Sequence, residues 1–139
     1  MSWNDYINNF VDGTVCTDAV ILSLSPPHGV WAGHSSGNLC SVTAQEITPL
    51  ISKDRNQLFI NGIVLGGVKC SVLRDLWNED SQQCLDARTK SSDGGTTFNI
   101  HMVRTNQAIV ILKGGNGIHG GQLSQKCFDT IKYLRGVGY

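Results

Sequence analysis

The chain has 139 residues, of which 40% are hydrophobic and 16% charged, with 11 Lys+Arg set against 11 Asp+Glu. This length can bury a self-sufficient core as one domain over residues 1–139, and this composition excludes a disordered polymer. Balanced charge excludes polycation behaviour, so any hold on anionic lipid must come from a local patch, and no nucleic-acid partner is expected.

Ser2 is placed to cap a first helix running to about Phe10, in which Trp3, Tyr6, Ile7 and Phe10 fall at i, i+3, i+4 and i+7 on one face. Asp12-Gly13 stops it. The run Ala19 to Leu24 predicts a buried strand ended by Ser25-Pro26-Pro27, and Gly29 to His34 its hairpin partner. Thr43-Ala-Gln-Glu46 has the spacing of a capping box and predicts a short helix through roughly Leu50.

From there strands are expected in LFING, KCSVLRDLW, CLDARTK, TFNIHMV and QAIVILK. Turns are expected at Asn61-Gly62, Gly66-Gly67, Asp93-Gly94-Gly95 and Asn106-Gln107. Connections this short demand antiparallel neighbours, because a parallel crossover needs about a dozen residues. A last helix is predicted from Gln122 to about Arg135, with Leu123, Cys127, Ile131 and Leu134 as its core stripe and Phe128 and Tyr133 on opposite flanks. The expected fold is α+β, a single domain: a central antiparallel sheet with the N- and C-terminal helices on one face and short helices and loops on the other.

If both helices cover the same face, Trp3 and Tyr6 approach Tyr133 and Tyr139. The core stripes are already supplied by aliphatic residues and Phe10, so these edge rings are surplus to the core, and each carries an O–H or N–H that wants a partner. Such a row suits a polyproline helix, whose flat rings lie on aromatic planes and whose unpaired carbonyls accept hydrogen bonds. Trp31, on the hairpin strand, is the expected floor.

The five cysteines, Cys16, Cys40, Cys70, Cys84 and Cys127, are odd in number and form no CxxC. Neither a disulfide framework nor a zinc site is indicated, and no metal or cofactor is expected. No apolar run reaches the ~18 residues of a membrane span, and the N-terminus lacks the order of a signal peptide, so a cytosolic protein is expected. His119, in a Gly-rich turn, raises the alternative of a Cys–His nucleophile pair, but no cysteine sits in a nucleophile-like turn and no third group orients the pair.

SWNDY at the start, VWA around Trp31, KDRNQLFINGIVLGGVKCSVLRD from Lys53, DARTKS from Asp86, GIHGG from Gly117 and the closing YLRGVGY together resemble a profilin of the animal type over essentially the whole chain. The resemblance implies a non-enzymatic, cytoplasmic and cytoskeleton-associated protein. Such a protein binds monomeric actin, promotes exchange of its nucleotide, and takes proline-rich partners such as formins at a separate site. It implies Trp3, Tyr6, Trp31, Tyr133 and Tyr139 as the polyproline residues. For actin it implies Phe59, Ile60, Lys69, Ser71, Val72, Arg74, Arg88, Lys90, Thr97, Asn99, Ile118, His119, Gly121, Phe128 and Asp129. Phosphoinositide binding, with phosphatidylinositol bisphosphate as a further partner, would fall to Arg88, Lys126, Lys132 and Arg135. The loop Gly114 to Gly117, Ser124 and Gln125 depart from the family pattern by losing charge or polar reach, which implies a weaker actin rim. A scaffold domain of the same layout that binds a partner other than actin is the alternative.

Overall fold

The computed structural model describes residues 2–91 and 94–139; Met1 and the Asp93 of the expected turn lie outside them. Helix α1 spans Trp3–Phe10 and is opened by a reciprocal cap. The Asp5 N–H donates to the Ser2 hydroxyl at 3.3 Å, and the Ser2 N–H donates to the Asp5 carboxylate at 2.8 Å. Strands β1 (Cys16–Ser23) and β2 (Val30–Gly33) follow as an antiparallel hairpin. Two single turns of 3-10 helix (Leu39–Ser41 and Thr48–Ile51) flank α2 (Ala44–Ile47), whose Thr43–Glu46 capping box forms as the spacing predicts. Then come α3 (Asn56–Asn61), β3 (Ile63–Leu65), β4 (Val68–Leu76), β5 (Cys84–Thr89), β6 (Asn99–Arg104), β7 (Ala108–Gly114) and α4 (Gly120–Gly136).

The strands form a seven-stranded sheet in the order β2-β1-β7-β6-β5-β4-β3. Every neighbouring pair is antiparallel. Strands β1 and β7 are buried on both faces, which is why their sequences read as unbroken apolar runs. Ala19, Ile21, Val110 and Leu112 point to one side, where Ile7 and Phe10 of α1 and Leu123, Cys127 and Ile131 of α4 cover them. Val20, Leu22, Ile109 and Ile111 point to the other, against Leu39, Ile47, Leu50 and Leu58 of the short helices. The expected two-sided layering is therefore the architecture found.

Three local expectations are corrected. LFING is not a strand: Leu58, Phe59 and Ile60 lie on α3, with only Leu58 turned into the core. An apolar run of three cannot by itself separate strand from helix. The IVL stretch between the two glycine turns, which none of the expected strands includes, is β3. At the ends of α4 and β1 the structure extends further, to Gly120 and to Cys16.

The sheet's outer edge is fastened by two polar devices. The Arg55 guanidinium makes a two-pronged pair with Asp75, 2.8 Å from Nε to Oδ2 and 2.7 Å from Nη2 to Oδ1. Its Nη1 also donates to the Ser52 carbonyl, and its charge lies 5.8 Å from the centre of the buried Trp77 ring, with Arg104 at 5.3 Å. At the β3–β4 turn, the Gly66 and Gly67 N–H groups donate to the two Glu46 carboxylate oxygens at 3.0 and 2.9 Å. Gly66 has φ 58°, and a Cβ there would stand 2.2 Å from the Asn38 carbonyl oxygen. Gly66→Ala is therefore expected to cost at least about 2 kcal/mol in a urea midpoint measurement. Gly67→Ala, with open space around it, should cost only the backbone term of about 1 kcal/mol.

Candidate functional site

Helix α1 and the last turns of α4 lie side by side on the sheet and leave a hollow of about 590 Å³ between them. Trp3, Tyr6 and Asn9 line it from α1; Asp129, Thr130, Tyr133 and Leu134 line it from α4; Val137 and Tyr139 close one end. Trp3 is the hub of the rings, with centroids 5.6 Å from Tyr6, 4.8 Å from Trp31 and 5.4 Å from Tyr139. Trp31 meets Tyr139 edge-on at 6.5 Å. Trp31 is not the expected floor: it backs Trp3 from β2 and does not line the hollow. Tyr133 faces the others across the hollow, 58% exposed, without touching their rings.

Tyr139 is held there by backbone bonds that nothing in its neighbouring residues announces. Its carbonyl oxygen accepts from the Gln107 N–H at 2.5 Å and from the Thr105 hydroxyl. Its own N–H donates to Leu134 at 2.8 Å, and the Gln107 amide holds Gly138 at 2.8 Å. Among the described residues, no hydrogen bond uses the indole N–H of Trp3 or Trp31 or the hydroxyl of Tyr6, Tyr133 or Tyr139. The hollow therefore offers flat apolar walls with free donors on them, a combination that fits a rigid ligand rich in unpaired carbonyls.

The other flank of α4 borders a second surface. A hollow of about 400 Å³ gathers Leu73, Arg74, Asp86, Arg88, Asn99, His119 and Gly121 from β4, β5, β6 and the start of α4. Asn99 is buried and works in two directions: its amide donates to the Ile118 carbonyl at 2.8 Å and its oxygen accepts from Arg88 Nε at 3.1 Å. Exposed Phe59 (53%) and Ile60 (76%) stand on α3, and exposed Phe128 (59%) faces away from the aromatic hollow over a crevice with Cys84 and His101. Lys69 and Ser71 lie on β4, while Lys90 borders a neighbouring cleft with Phe98 and Lys113; Thr97 and Ile118 are half-buried.

Two residues are not where the expected actin set would have them. Val72 is a core residue, 9% exposed. Leu73, the next residue on the strand, points to the opposite face and is 53% exposed in its stead. Asp129 lines the aromatic hollow rather than the Phe128 flank.

A family model described as Profilin matches residues 1–139. The chain belongs to the profilin family. It is 38% identical to profilin-1 of Homo sapiens over 137 residues, which is 99% of this chain and 98% of that one. It is 39% identical to profilin-2 of Rattus norvegicus over the same shares. Among solved structures it is similar to mouse profilin IIa in complex with a double repeat from the FH1 domain of mDia1, with TM-score 0.93, 37% identity and all of both chains covered. It is also similar to Acanthamoeba castellanii profilin IB, with TM-score 0.72, 25% identity, 99% of this chain and all of that one.

The basic set Arg88, Lys126, Lys132 and Arg135 is partly engaged within the chain. Lys126 pairs with Asp12 at 2.9 Å, and that bond with the Thr14 and Cys16 N–H groups holds the Asp12 carboxyl well below the usual range. Arg135 donates to the carbonyls of Arg104 at 2.7 Å and Gln82 at 3.1 Å. Lys132 is exposed. The cysteines are all free thiols, and burial pushes Cys16 and Cys70 up to about 11 and Cys127 up to about 12. Thiols held protonated in this way are the reverse of activated nucleophiles. Among the described residues no group of three His, Cys, Asp or Glu side chains could hold a metal ion, and no helix is long and apolar enough to cross a membrane.

Proposed function

We propose that this profilin binds proline-rich segments, such as those of formins, in the hollow between α1 and α4, and monomeric actin on the opposite flank of α4. It thereby regulates actin polymerisation and nucleotide exchange by binding rather than by catalysis, in the cytoplasm and at the cytoskeleton. The observation that carries the reading is the set of rings around Trp3 whose N–H and O–H donors have no partner among the described residues. A proline ligand lies on such planes already ordered, so little conformational entropy is lost on docking. The polyproline residues proposed are Trp3, Tyr6, Tyr133 and Tyr139, with Trp31 in support behind Trp3.

For actin, Arg74, Arg88, Asn99, His119 and Gly121 around one hollow, with Phe59, Ile60 and Phe128 as exposed apolar anchors, combine steering charge with desolvatable area. Because the two surfaces lie on opposite flanks of one helix, both ligands can be held together. Phosphatidylinositol bisphosphate is proposed as a further ligand of the basic set, with Lys132 leading because Arg88, Lys126 and Arg135 have partners already.

Two measurements test the reading. Retention on immobilised polyproline, with a change in tryptophan fluorescence on titration, is expected; flow-through with no fluorescence response would remove the groove. Slower polymerisation of pyrene-labelled actin monomers is expected in parallel; retention without slowing would leave a scaffold domain that binds a partner other than actin.

A further inference from the structure

Beneath the exposed Arg74 lies a polar row that crosses three strands. Arg74 on β4 is directly opposite Asp86 on β5, and Asp86 is directly opposite His101 on β6. Side chains opposite one another on adjacent strands share a face. The bulge before Arg74 turns this residue to the helix side, so all three reach the same face. The Asp86 carboxylate divides its oxygens between its neighbours. Oδ1 takes the His101 ring at Nδ1 over 2.8 Å; Oδ2 takes Arg74 Nη2 at 3.0 Å and Nε at 3.3 Å. Nδ1 faces an oxygen that can only accept, so it carries the proton in either charge state of the ring.

The row passes from fully enclosed to open. His101 is 2% exposed and its side chain fills space under α4, whereas the Arg74 side chain is 60% exposed. Above Asp86 sits Gly120, where even a Cβ would come within 2.9 Å of Oδ1. With α4 over one oxygen and His101 bonded to it, the carboxylate has no second orientation to adopt. An exposed arginine paired with a mobile carboxylate is ordered only weakly. Here the anion is fixed from below, so the guanidinium is presented in one geometry.

We propose that His101 is a positioning residue for actin binding: through Asp86 it aims Arg74 at the ligand surface. This inference rests on the actin reading of that surface. It also assigns a task to a buried polar side chain that neither the aromatic hollow nor the hydrophobic core uses. Without the Nδ1 donor, Oδ1 is left unpaired in a closed space, and the carboxylate either takes up a proton or turns, releasing Arg74 in both cases.

The test is a double-mutant cycle on full-length protein, with actin-monomer affinity as readout. His101→Val, which fills the space without a donor, is expected to weaken actin binding about three- to tenfold, the range for loss of an ordered charged contact. His101→Asn, whose amide can supply the N–H, should return affinity to within about twofold of wild type. In an Arg74→Ala background, His101→Val should have no further effect. Polyproline affinity should stay within about twofold throughout, because the row does not touch the aromatic hollow. Equal actin affinity for wild type and His101→Val would overturn the inference. So would an undiminished loss in the Arg74→Ala background, or a parallel fall in polyproline binding.

If His101→Val does not fold, Asp86→Asn takes its place in the same cycle, with the same expected loss and the same cancelling by Arg74→Ala. The Arg74 Nε–H exchange rate by NMR separates the two levels of the claim. Slow exchange in wild type and fast exchange in His101→Val, in a protein that fails to bind actin, would sink the functional reading while leaving the row's geometry intact. Fast exchange in wild type would sink the positioning itself.

Discussion

Trp3→Ala should reduce affinity for a polyproline peptide by about 30-fold or more in titration calorimetry, while actin-monomer affinity changes by less than about twofold. The size follows from the ring's place: Trp3 touches Tyr6, Trp31 and Tyr139, and it lines the hollow from α1. Removing the central ring of an aromatic hot spot costs about 2 kcal/mol or more, and each 1.4 kcal/mol is about tenfold. Helix α1 stays docked in the variant because Ile7 and Phe10 hold its buried face. A variant that retained near-normal polyproline affinity would mean that the hollow is lined for some other purpose.

The largest effect on stability is expected from Arg55→Ala. Side chains of Arg55 and Asp75 are 14% and 8% exposed, so the substitution leaves a nearly buried carboxylate unpaired and also uncovers Trp77. Breaking such a pair on one side costs about 3 kcal/mol at neutral pH, readable in a urea titration. The pH dependence has a definite sign. In the native pair, burial pushes the Asp75 carboxyl up, but the Arg55 hydrogen bonds and charge outweigh it and leave the group below its ordinary value. The pair's contribution is thus complete above the unfolded carboxyl range of about 3.9 and is lost as pH falls through the lower native value. Without Arg55, burial alone acts, the native carboxyl rises above the unfolded one, and protonation in mild acid relieves the variant. Its deficit against wild type should therefore be widest near about pH 7 and narrower near about pH 4. A deficit that stayed constant over this range would indicate lost packing on Trp77 instead.

Much of the architecture was legible because it is written in local patterns. The Ser2–Asp5 and Thr43–Glu46 boxes, the Ile7–Phe10 stripe and the Leu123-Cys127-Ile131-Leu134 stripe each specify one helix and its buried side. The placing of Trp3 and Tyr6 on one flank of α1, and of Tyr133 on the flank of α4 away from Phe128, was legible for the same reason. What escaped depends on partners distant in sequence. Phe59 and Ile60 look like strand residues until Leu58 is seen to be the one that finds the core. Arg74 shares a face with Asp86 because β4 carries a bulge against β5, and no alternation rule predicts that. The tether of Tyr139 comes from Thr105 and Gln107 at the β6–β7 turn, and the Arg74-Asp86-His101 row exists only through strand register.

The hollow's two walls come from α1 and α4, helices far apart in sequence that are docked on one face of the same sheet. A ligand that spans them needs both helices in place, and by mass action it stabilises the folded state that places them. At one hundred times its dissociation constant, such a ligand adds about 2.7 kcal/mol to the folded state. Recruitment by a proline-rich segment and protection from unfolding are thus one thermodynamic event.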